Sequence, residues 1–289
     1  MTDALHACVL RPDGPARILG DPGARFPFWS VTKTATAAAV LALADAGALA
    51  LDAPDPARGW TLRQLLAHTA GAPCYGGLRA YHDAVAARGP AWDRDAFLAR
   101  IPPPPFAPGA GWAYSNIGCM LAREAVEAAG GAPLDALLPR LIPGAPAGLR
   151  LARSPADWDG LPWPEARAEA SDYDPGWVAP GCLTGTARDA AELLAALAAG
   201  PAWARMTRER TLGGALPGRP WTRHGYGLGV MCGAWGDAAA AGHSGAGPFS
   251  ACAVYRVAPP GAAPAIVAAF LPGGSEAPAE AAALRLARA

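Results

Sequence analysis

The segment from Phe28 to Lys33 places a serine three residues before a lysine, at the start of an alanine-rich apolar stretch. Lys33 is the only lysine among the 24 Lys and Arg residues of this 289-residue chain. Arginine serves as a surface cation but stays protonated, whereas a desolvated lysine can lose its proton. A chain that uses lysine only beside Ser30 therefore indicates an amine that acts as a base for a serine nucleophile.

A helix that begins at or near Ser30 brings the two side chains together. Residues three apart on a helix share one face, with Cβ atoms about 5–6 Å apart. The positive end of the helix favours negative charge on Ser30 Oγ and disfavours charge on the amine. With burial added, we expect the pKa of Lys33 to lie about 2–3 units below its ordinary value. The alternative is a solvated lysine beside an incidental capping serine.

The overall composition is typical of a globular protein with a large core. Hydrophobic residues make up 52% of the chain, charged residues make up 17%, and the formal net charge is +0. Nothing in this balance favours nucleic acid or an anionic membrane as a partner. The five histidines show no metal-binding spacing, so the sequence predicts neither a metal nor another cofactor.

The six cysteines are scattered, with no C-x-x-C pair. We interpret them as buried free thiols in a reducing compartment. The first residues carry an acid where a signal peptide has its basic region, and a polar turn at Arg11–Gly14 follows. We therefore expect a cytoplasmic location.

The order of predicted elements indicates an α+β fold. Two strands flank Pro12–Gly14, and the helix from Ser30 ends near Gly47. Further helices are predicted at 61–71, 78–100, 117–129, 134–142, 186–200 and 276–289, with a loop at 143–180 and strands at 226–230, 251–257 and 265–271. Strands at both ends predict an antiparallel sheet flanked by helices, in a domain of residues 1–51 and 181–289. Residues 52–180 are predicted to form a mainly helical insert, with the active site between the two domains.

Four further residues have both a structural and a functional interpretation. His68 could be a base, but we interpret it as the anchor of a turn. The tryptophans of the predicted loop could line a substrate cleft or simply hold the loop to the body; they are Trp158, Trp163 and Trp177.

Three short segments occur in an order that resembles a known superfamily. They are Ser30–Lys33, Tyr114–Asn116 and His243–Gly245. Together they resemble the motifs of the serine β-lactamase and penicillin-binding-protein superfamily, in the class C-like branch that includes D-alanyl-D-alanine peptidases, D-aminopeptidases and β-lactamase-like esterases. Segments that look like further landmarks of this branch lie at 65–71, 106–109, 181–186 and 226–229. The resemblance spans residues 26–257 and implies a β-lactamase/transpeptidase-like fold.

The resemblance also implies roles for the matching residues. Ser30 would attack a carbonyl and become acylated, while Lys33 and Tyr114 would share the proton transfers. Which of the two is the base at rest stays open. Asn116 would orient Lys33 and the substrate amide.

The third segment would lie on an edge strand beside the substrate. Gly245, after Ser244, would let the substrate lie close to this strand. The N–H groups of Ala246 and Ser30 would form the oxyanion hole. The branch carries Lys-Thr-Gly or His-x-Gly here, and His243 is not a permanent cation at pH 7. A substrate carboxylate would therefore bind more weakly beside His243 than beside a lysine. This weaker binding favours ester or amide hydrolysis over β-lactamase or carboxypeptidase activity.

We therefore predict a serine hydrolase that acts on a small ester or amide through an acyl-enzyme. The alternatives are a β-lactamase, a D-amino-acid peptidase, or a weakly catalytic homologue that binds a peptide or acyl ligand. Gly242–Ala246 nearly matches the G-x-S-x-G elbow of α/β-hydrolases, but that fold needs a histidine after the serine and none follows His243. A phosphate-binding loop is excluded because Lys33 does not follow a glycine.

Overall fold

In the computed structural model, which describes residues 4–208 and 210–289, the central feature is an eight-stranded antiparallel sheet. Its strands are β1 (His6–Leu10), β2 (Arg17–Leu19), β6 (Arg210–Gly213), β7 (Trp221–Tyr226), β8 (Met231–Trp235), β9 (Ala238–Ala246), β10 (Ser250–Ala258) and β11 (Ala265–Pro272). They lie in the spatial order β2-β1-β11-β10-β9-β8-β7-β6. A small second sheet joins β3 (Phe26–Pro27), β5 (Leu183–Gly185) and β4 (Arg150–Leu151).

The helices occupy the middle of the chain and its end. They are α1 (Thr32–Asp45), α2 (Leu62–Leu66), α3 (Arg79–Ala86), α4 (Arg94–Arg100), α5 (Asn116–Gly130), α6 (Leu134–Leu141), α7 (Pro164–Ala170), α8 (Ala187–Ala199), α9 (Trp203–Met206) and α10 (Glu276–Arg288). None of the helices in the described part of the chain is long and apolar enough to cross a membrane. The cytoplasmic location stays a prediction.

The eight-stranded sheet has a hydrophobic core on each face. Side chains alternate along a strand, so Ala268 and Phe270 of β11 join one core while Val267 and Ala269 join the other. Helix α8 packs on the first face, and α10 packs on the second. Helix α1 lies in the first core, against α5 and α6. The domain boundaries inferred from the sequence stay a prediction.

Helix α1 is buried on nearly all sides, which explains its composition. Its alanines let neighbouring helices approach closely, and most of its residues are buried. Such a helix is hydrophobic all round because it has no solvent face. Lys33 is the only charged residue in its buried part, so its position beside Ser30 is not that of a surface cation.

Several sequence predictions are confirmed locally. The predicted capping box at Thr61 is present, with Thr61 Oγ1 accepting from the Gln64 N–H and Gln64 Oε1 accepting from the Thr61 N–H. Helices α1, α5, α6, α8 and α10 lie where helices were predicted, as do β1, β2, β10 and β11. Five cysteines are buried as predicted, while Cys74 is half-buried.

Three predictions about elements are wrong. The predicted strand at 226–230 is mainly the connection between β7 and β8. The region predicted as loop at 143–180 contains α7, which begins at Pro164, a residue that suits the first turn of a helix. The helical stretch at 78–100 is two helices, because α3 ends at Ala86 and Asp93 caps a new helix.

Candidate active site

Ser30 lies in a single 3-10 turn, Trp29–Val31, that leads directly into α1. Trp29 adopts φ +45°, a left-handed conformation that is unfavourable for a bulky residue. Neighbouring groups hold it there: its backbone N–H donates to Cys182 Sγ at 3.3 Å, and its indole N–H donates to Ser250 Oγ at 3.0 Å. The turn that carries the serine is thus braced from two sides of the protein.

The structure brings Ser30, Lys33 and Tyr114 together. Lys33 Nζ lies 2.8 Å from Ser30 Oγ, and the Tyr114 hydroxyl lies 2.9 Å from the same oxygen. Both groups donate to Oγ, so two donors face the oxygen that would carry negative charge when Ser30 loses its proton. Lys33 is only 3% exposed, which excludes the solvated lysine considered as the alternative.

Tyr114 is positioned by the start of α5 and by His68. Ser115 caps this helix, with its Oγ accepting from the Gly118 N–H at 2.9 Å. The Ser115 N–H donates to His68 Nδ1 at 3.2 Å, and the Ala113 N–H donates to the His68 carbonyl at 3.0 Å. His68 thus fixes the backbone on both sides of Tyr114, consistent with its interpretation as an anchor.

The electrostatics of the Lys33–Tyr114 pair differ from the expectation. Burial acts to lower the pKa of Lys33, but the acidic groups of Tyr114, Cys119 and Cys74 outweigh burial and raise this pKa above its ordinary value. Burial raises the pKa of Tyr114, against the opposing effect of Lys33. The predicted depression of the lysine pKa is therefore wrong, since the neighbours that raise it are remote in sequence.

The third segment lies on β9, which is an internal strand and not an edge strand as the resemblance implied. β8 pairs with β9 only as far as Met231 opposite Gly242, so residues 243–246 extend past β8 as a local edge. This edge contacts the Ser30 turn. The Gly247 N–H donates to the Ser250 carbonyl, and N–H directions alternate along a strand, so the Ala246 N–H points away from β10.

Gly245 is needed for the contact between this edge and the nucleophile. A Cβ at Gly245 would lie 2.7 Å from the Ser30 backbone nitrogen and 2.7 Å from Trp29 Cβ. The sequence interpretation connected this glycine with substrate approach. The structure shows that the Ser30 turn already occupies the space that a side chain would take.

His243 is buried and held as a neutral ring. The Ser244 carbonyl, 2.5 Å from Nδ1, can only accept, so Nδ1 carries the proton. Nε2 then accepts from the Tyr226 hydroxyl at 2.9 Å. Burial, reinforced by the charge of Lys33, lowers the pKa of His243 to about 3. His243 supplies no cation to the site at neutral pH.

Acid is expected to destabilise the fold through His243. Its pKa is about 3 when folded but 6.5 ordinarily, so between these values only the unfolded chain binds the proton. The contribution is complete above pH 6.5 and is lost as the pH falls, at about 1.4 kcal/mol per pH unit. In urea titrations from pH 6 to 4.5, the unfolding free energy of His243→Gln should decrease less steeply with falling pH than that of the parent, by about this amount per pH unit. The two curves should be parallel above pH 7.5; equal slopes below pH 6 would contradict the prediction.

Ser244 was a candidate site residue, but its hydroxyl faces away from the cleft. Ser244 Oγ donates to Glu280 Oε1 at 2.5 Å and lies 2.8 Å from the Tyr255 hydroxyl, on the face covered by α10. Trp221 Nε1 and Arg219 also donate to Glu280. The Ser244 side chain is 0% exposed, so it is not available to a substrate.

Ser30 opens into a cavity of about 460 Å³. Asn116, the first residue of α5, lines this cavity, as do Lys33 and Ala246. Of the three loop tryptophans, only Trp177 reaches it, whereas Trp158 stacks under Trp29 and Trp163 packs on Phe26. Cavities of about 500 and 660 Å³ lie elsewhere, but neither is lined by Ser30, Lys33 or Asn116.

Some residues of the site were missed by the sequence interpretation. Tyr75, Tyr81 and Tyr173 line the cavity, and Tyr226 holds His243. Tyr75 and Tyr81 follow Cys74 in a stretch with weak helical pattern, and no spacing relates them to Ser30. Only the folded chain brings them to the cleft.

The antiparallel sheet between helices, with a serine at the start of a buried helix, defines a β-lactamase/transpeptidase-like fold. A family model described as Beta-lactamase matches residues 15–289, and the chain belongs to this family. Both the resemblance and the fold class predicted from the sequence are confirmed.

Solved structures similar to this chain include two amide hydrolases and a penicillin-binding-protein homologue. A D-stereospecific amidohydrolase from Streptomyces sp. is 24% identical, with 94% of this chain and 91% of that chain covered and a TM-score of 0.71. The D-amino acid amidase from Ochrobactrum anthropi SV3 is 20% identical, with 93% and 88% covered and a TM-score of 0.66. The octameric penicillin-binding protein homologue from Pyrococcus abyssi is 19% identical, with 99% and 74% covered and a TM-score of 0.69. Comparison with curated proteins gives no match.

Proposed function

We propose that this member of the β-lactamase family is a serine hydrolase that cleaves a small ester or amide through an acyl-enzyme on Ser30. The observation that carries the proposal is the placement of Ser30 Oγ within 2.9 Å of both Lys33 Nζ and the Tyr114 hydroxyl, at the mouth of a cavity. A nucleophile with an adjacent proton acceptor is the arrangement that covalent catalysis requires.

In acylation, Ser30 Oγ bonds to the substrate carbonyl carbon and its proton passes to the Lys33–Tyr114 pair. The pair can accept this proton only after it has lost one of its own. Which of the two groups is then deprotonated is a property of the pair. When the bond to the leaving group breaks, the pair returns the proton to the leaving oxygen or nitrogen. In deacylation, water attacks the acyl carbon, gives a proton to the pair, and Ser30 recovers its hydrogen.

The negative oxygen of the tetrahedral intermediate needs donors that are already in place. We assign this role to the N–H groups of Ser30 and Ala246, because the Ala246 N–H points away from β10 and both residues line the cavity. Loss of one such donor costs about 3–4 kcal/mol in measured cases. Asn116, at the start of α5, would contact the substrate amide.

Three alternatives remain distinct from this function. Hydrolysis of D-amino acid amides is favoured by the similarity to the D-amino acid amidase and the D-stereospecific amidohydrolase, and β-lactam hydrolysis is favoured by the family. A non-catalytic binder is disfavoured by the buried Lys33, because a binding site has no need of an amine held against a serine hydroxyl. In each case the ligand is a small molecule or short peptide.

Covalent labelling tests the proposal directly. A fluorophosphonate should label the protein at one site, and trypsin should place the adduct on the peptide from Phe26 to Lys33, which contains only one serine. Ser30→Ala should abolish the label. Ser171→Ala, which removes an exposed serine, is the matched control and should label like the parent. A folded protein that takes no label would favour the binder and overturn the proposal.

A further inference from the structure

The cavity beside Ser30 contains almost no charge. Among the described residues that line it, Lys33 is the only Lys, Arg, Asp or Glu side chain, and His82, the one histidine of this lining, is exposed and has Nε2 at 2.9 Å from the Gly76 carbonyl oxygen. Its amine is already directed at Ser30 Oγ. A substrate carboxylate or ammonium placed deeper in this cavity would lose water without gaining an opposite charge, which is strongly unfavourable.

His243 is the residue best placed to supply a second cation to the site, but it does not supply one. His243 stands where the related Lys-Thr-Gly segment would carry its lysine, but both ring nitrogens are occupied within the protein. A second proton on the ring would need the Tyr226 hydroxyl to turn away from Nε2. His243 is also 2% exposed and does not line the cavity.

The cavity lining includes an aromatic wall formed by Tyr75, Tyr81, Tyr173 and Trp177, in which the Tyr81 ring contacts the rings of Tyr75 and Trp177. The hydroxyls of Tyr75 and Tyr81 both donate to the Trp177 carbonyl, at 3.4 and 3.2 Å. These polar groups are thus satisfied within the protein. Tyr75, Tyr173 and Trp177 are buried, so the half-buried Tyr81 offers most of the exposed ring surface of the wall, which favours flat apolar groups.

We propose that this site selects esters or amides that carry no formal charge, and that it prefers an aromatic group against the aromatic wall. The inference rests on the proposed acyl-enzyme function and specifies its substrate class. It separates this chain from an enzyme that holds a substrate carboxylate, and equally from one that holds the free ammonium group of an amino acid amide. A cavity of about 460 Å³ buries most of the surface of a small substrate, so a charge on the acyl group would lose much of its hydration.

A set of p-nitrophenyl esters of similar length tests the charge preference. The hexanoate is neutral, the adipate half-ester is anionic, the 6-aminohexanoate ester is cationic, and the 3-phenylpropanoate carries an aromatic ring. We expect kcat/KM for the hexanoate to exceed that of either charged ester by at least about 100-fold. The 3-phenylpropanoate should exceed the hexanoate by about 3- to 10-fold. Charged and neutral esters within tenfold of each other would overturn the inference.

A variant with an added cation should change the preference. Val85 of α3 lines the cavity and is only half-buried, so Val85→Arg can place a guanidinium at its edge. The kcat/KM of the adipate half-ester relative to the hexanoate should rise at least about tenfold in this variant. Val85→Met, which has a long neutral side chain, is the matched control and should not shift the ratio. An unchanged ratio in Val85→Arg contradicts the inference.

A binding measurement separates this inference from the proposed function. Calorimetry with Ser30→Ala should show at least about 100-fold tighter binding of 3-phenylpropanamide than of adipamic acid, with no chemistry involved. If the parent protein takes the phosphonate label but binds both amides equally, only the substrate class is wrong. If the label is absent but the neutral amide is selected, only the acyl-enzyme function is wrong.

Discussion

Replacing Lys33 with arginine is expected to lower kcat/KM for a neutral p-nitrophenyl ester by about 10³- to 10⁴-fold. Positioned proton transfer contributes about 10²- to 10⁴-fold to enzymatic rates. Arginine retains the positive charge and can donate a hydrogen bond, but it does not lose its proton. The substitution therefore separates an amine that exchanges protons with Ser30 from one that only supplies charge.

The pH profile gives a second measurement on the same variant. Because the pKa values of Lys33 and Tyr114 are both raised, the parent kcat/KM should increase with pH as the pair loses a proton. Lys33→Arg should lose most of this dependence. Arg79→Lys, at an exposed position on α3, also changes one basic residue for the other and should match the parent. A Lys33→Arg enzyme within tenfold of the parent would contradict the role of Lys33 in proton transfer.

The centre of the site could be predicted because part of its geometry is local. Ser30 and Lys33 lie three residues apart, and a helical start is sufficient to bring them together. Tyr114 is 84 residues away from Ser30, and no periodicity connects it to the serine. Its place in the site was predicted only from the resemblance of three ordered motifs.

The electrostatics could not be predicted in the same way. The expected depression of the Lys33 pKa considered burial and the helix end, which are visible in the sequence near Ser30. The groups that reverse it, led by Tyr114 and Cys119, come from α5 and the residues before it. A pKa depends on all neighbours within a few ångströms, so a local pattern is insufficient.

Composition does not mark β9 as a strand, and only the resemblance placed residues 243–245 on one. β9 consists almost entirely of alanine and glycine and lacks the β-branched and aromatic residues that mark a strand. The predicted strand at 226–230 is instead a close-packed turn: Gly229 has φ +66°, and a Cβ at Gly227 would lie 1.9 Å from the Met206 carbonyl oxygen. Tertiary pairing with β8 and β10 makes β9 a strand, and sequence alone does not show that pairing.

The close contact between β9 and the Ser30 turn leads to the second large expected effect. Gly245→Ala should lower kcat at least about 100-fold, because displacement of a reacting group by about 1 Å can cost that much. The added Cβ would lie 2.7 Å from the Ser30 nitrogen and 2.9 Å from the Phe28 carbonyl oxygen. Both are backbone atoms, so neither can rotate away, and the turn or the strand must move.

The same displacement should be visible in both stability and reactivity. Overpacking of this kind costs about 1–3 kcal/mol in unfolding free energy, which urea titration would measure. Gly14→Ala, at a turn where a Cβ meets nothing within 4 Å, is the matched control. Phosphonate labelling of the folded Gly245→Ala protein should slow in parallel with kcat, since Ser30 and its N–H move together. If Gly245→Ala loses stability but labels at the parent rate, β9 supports the fold without positioning the nucleophile.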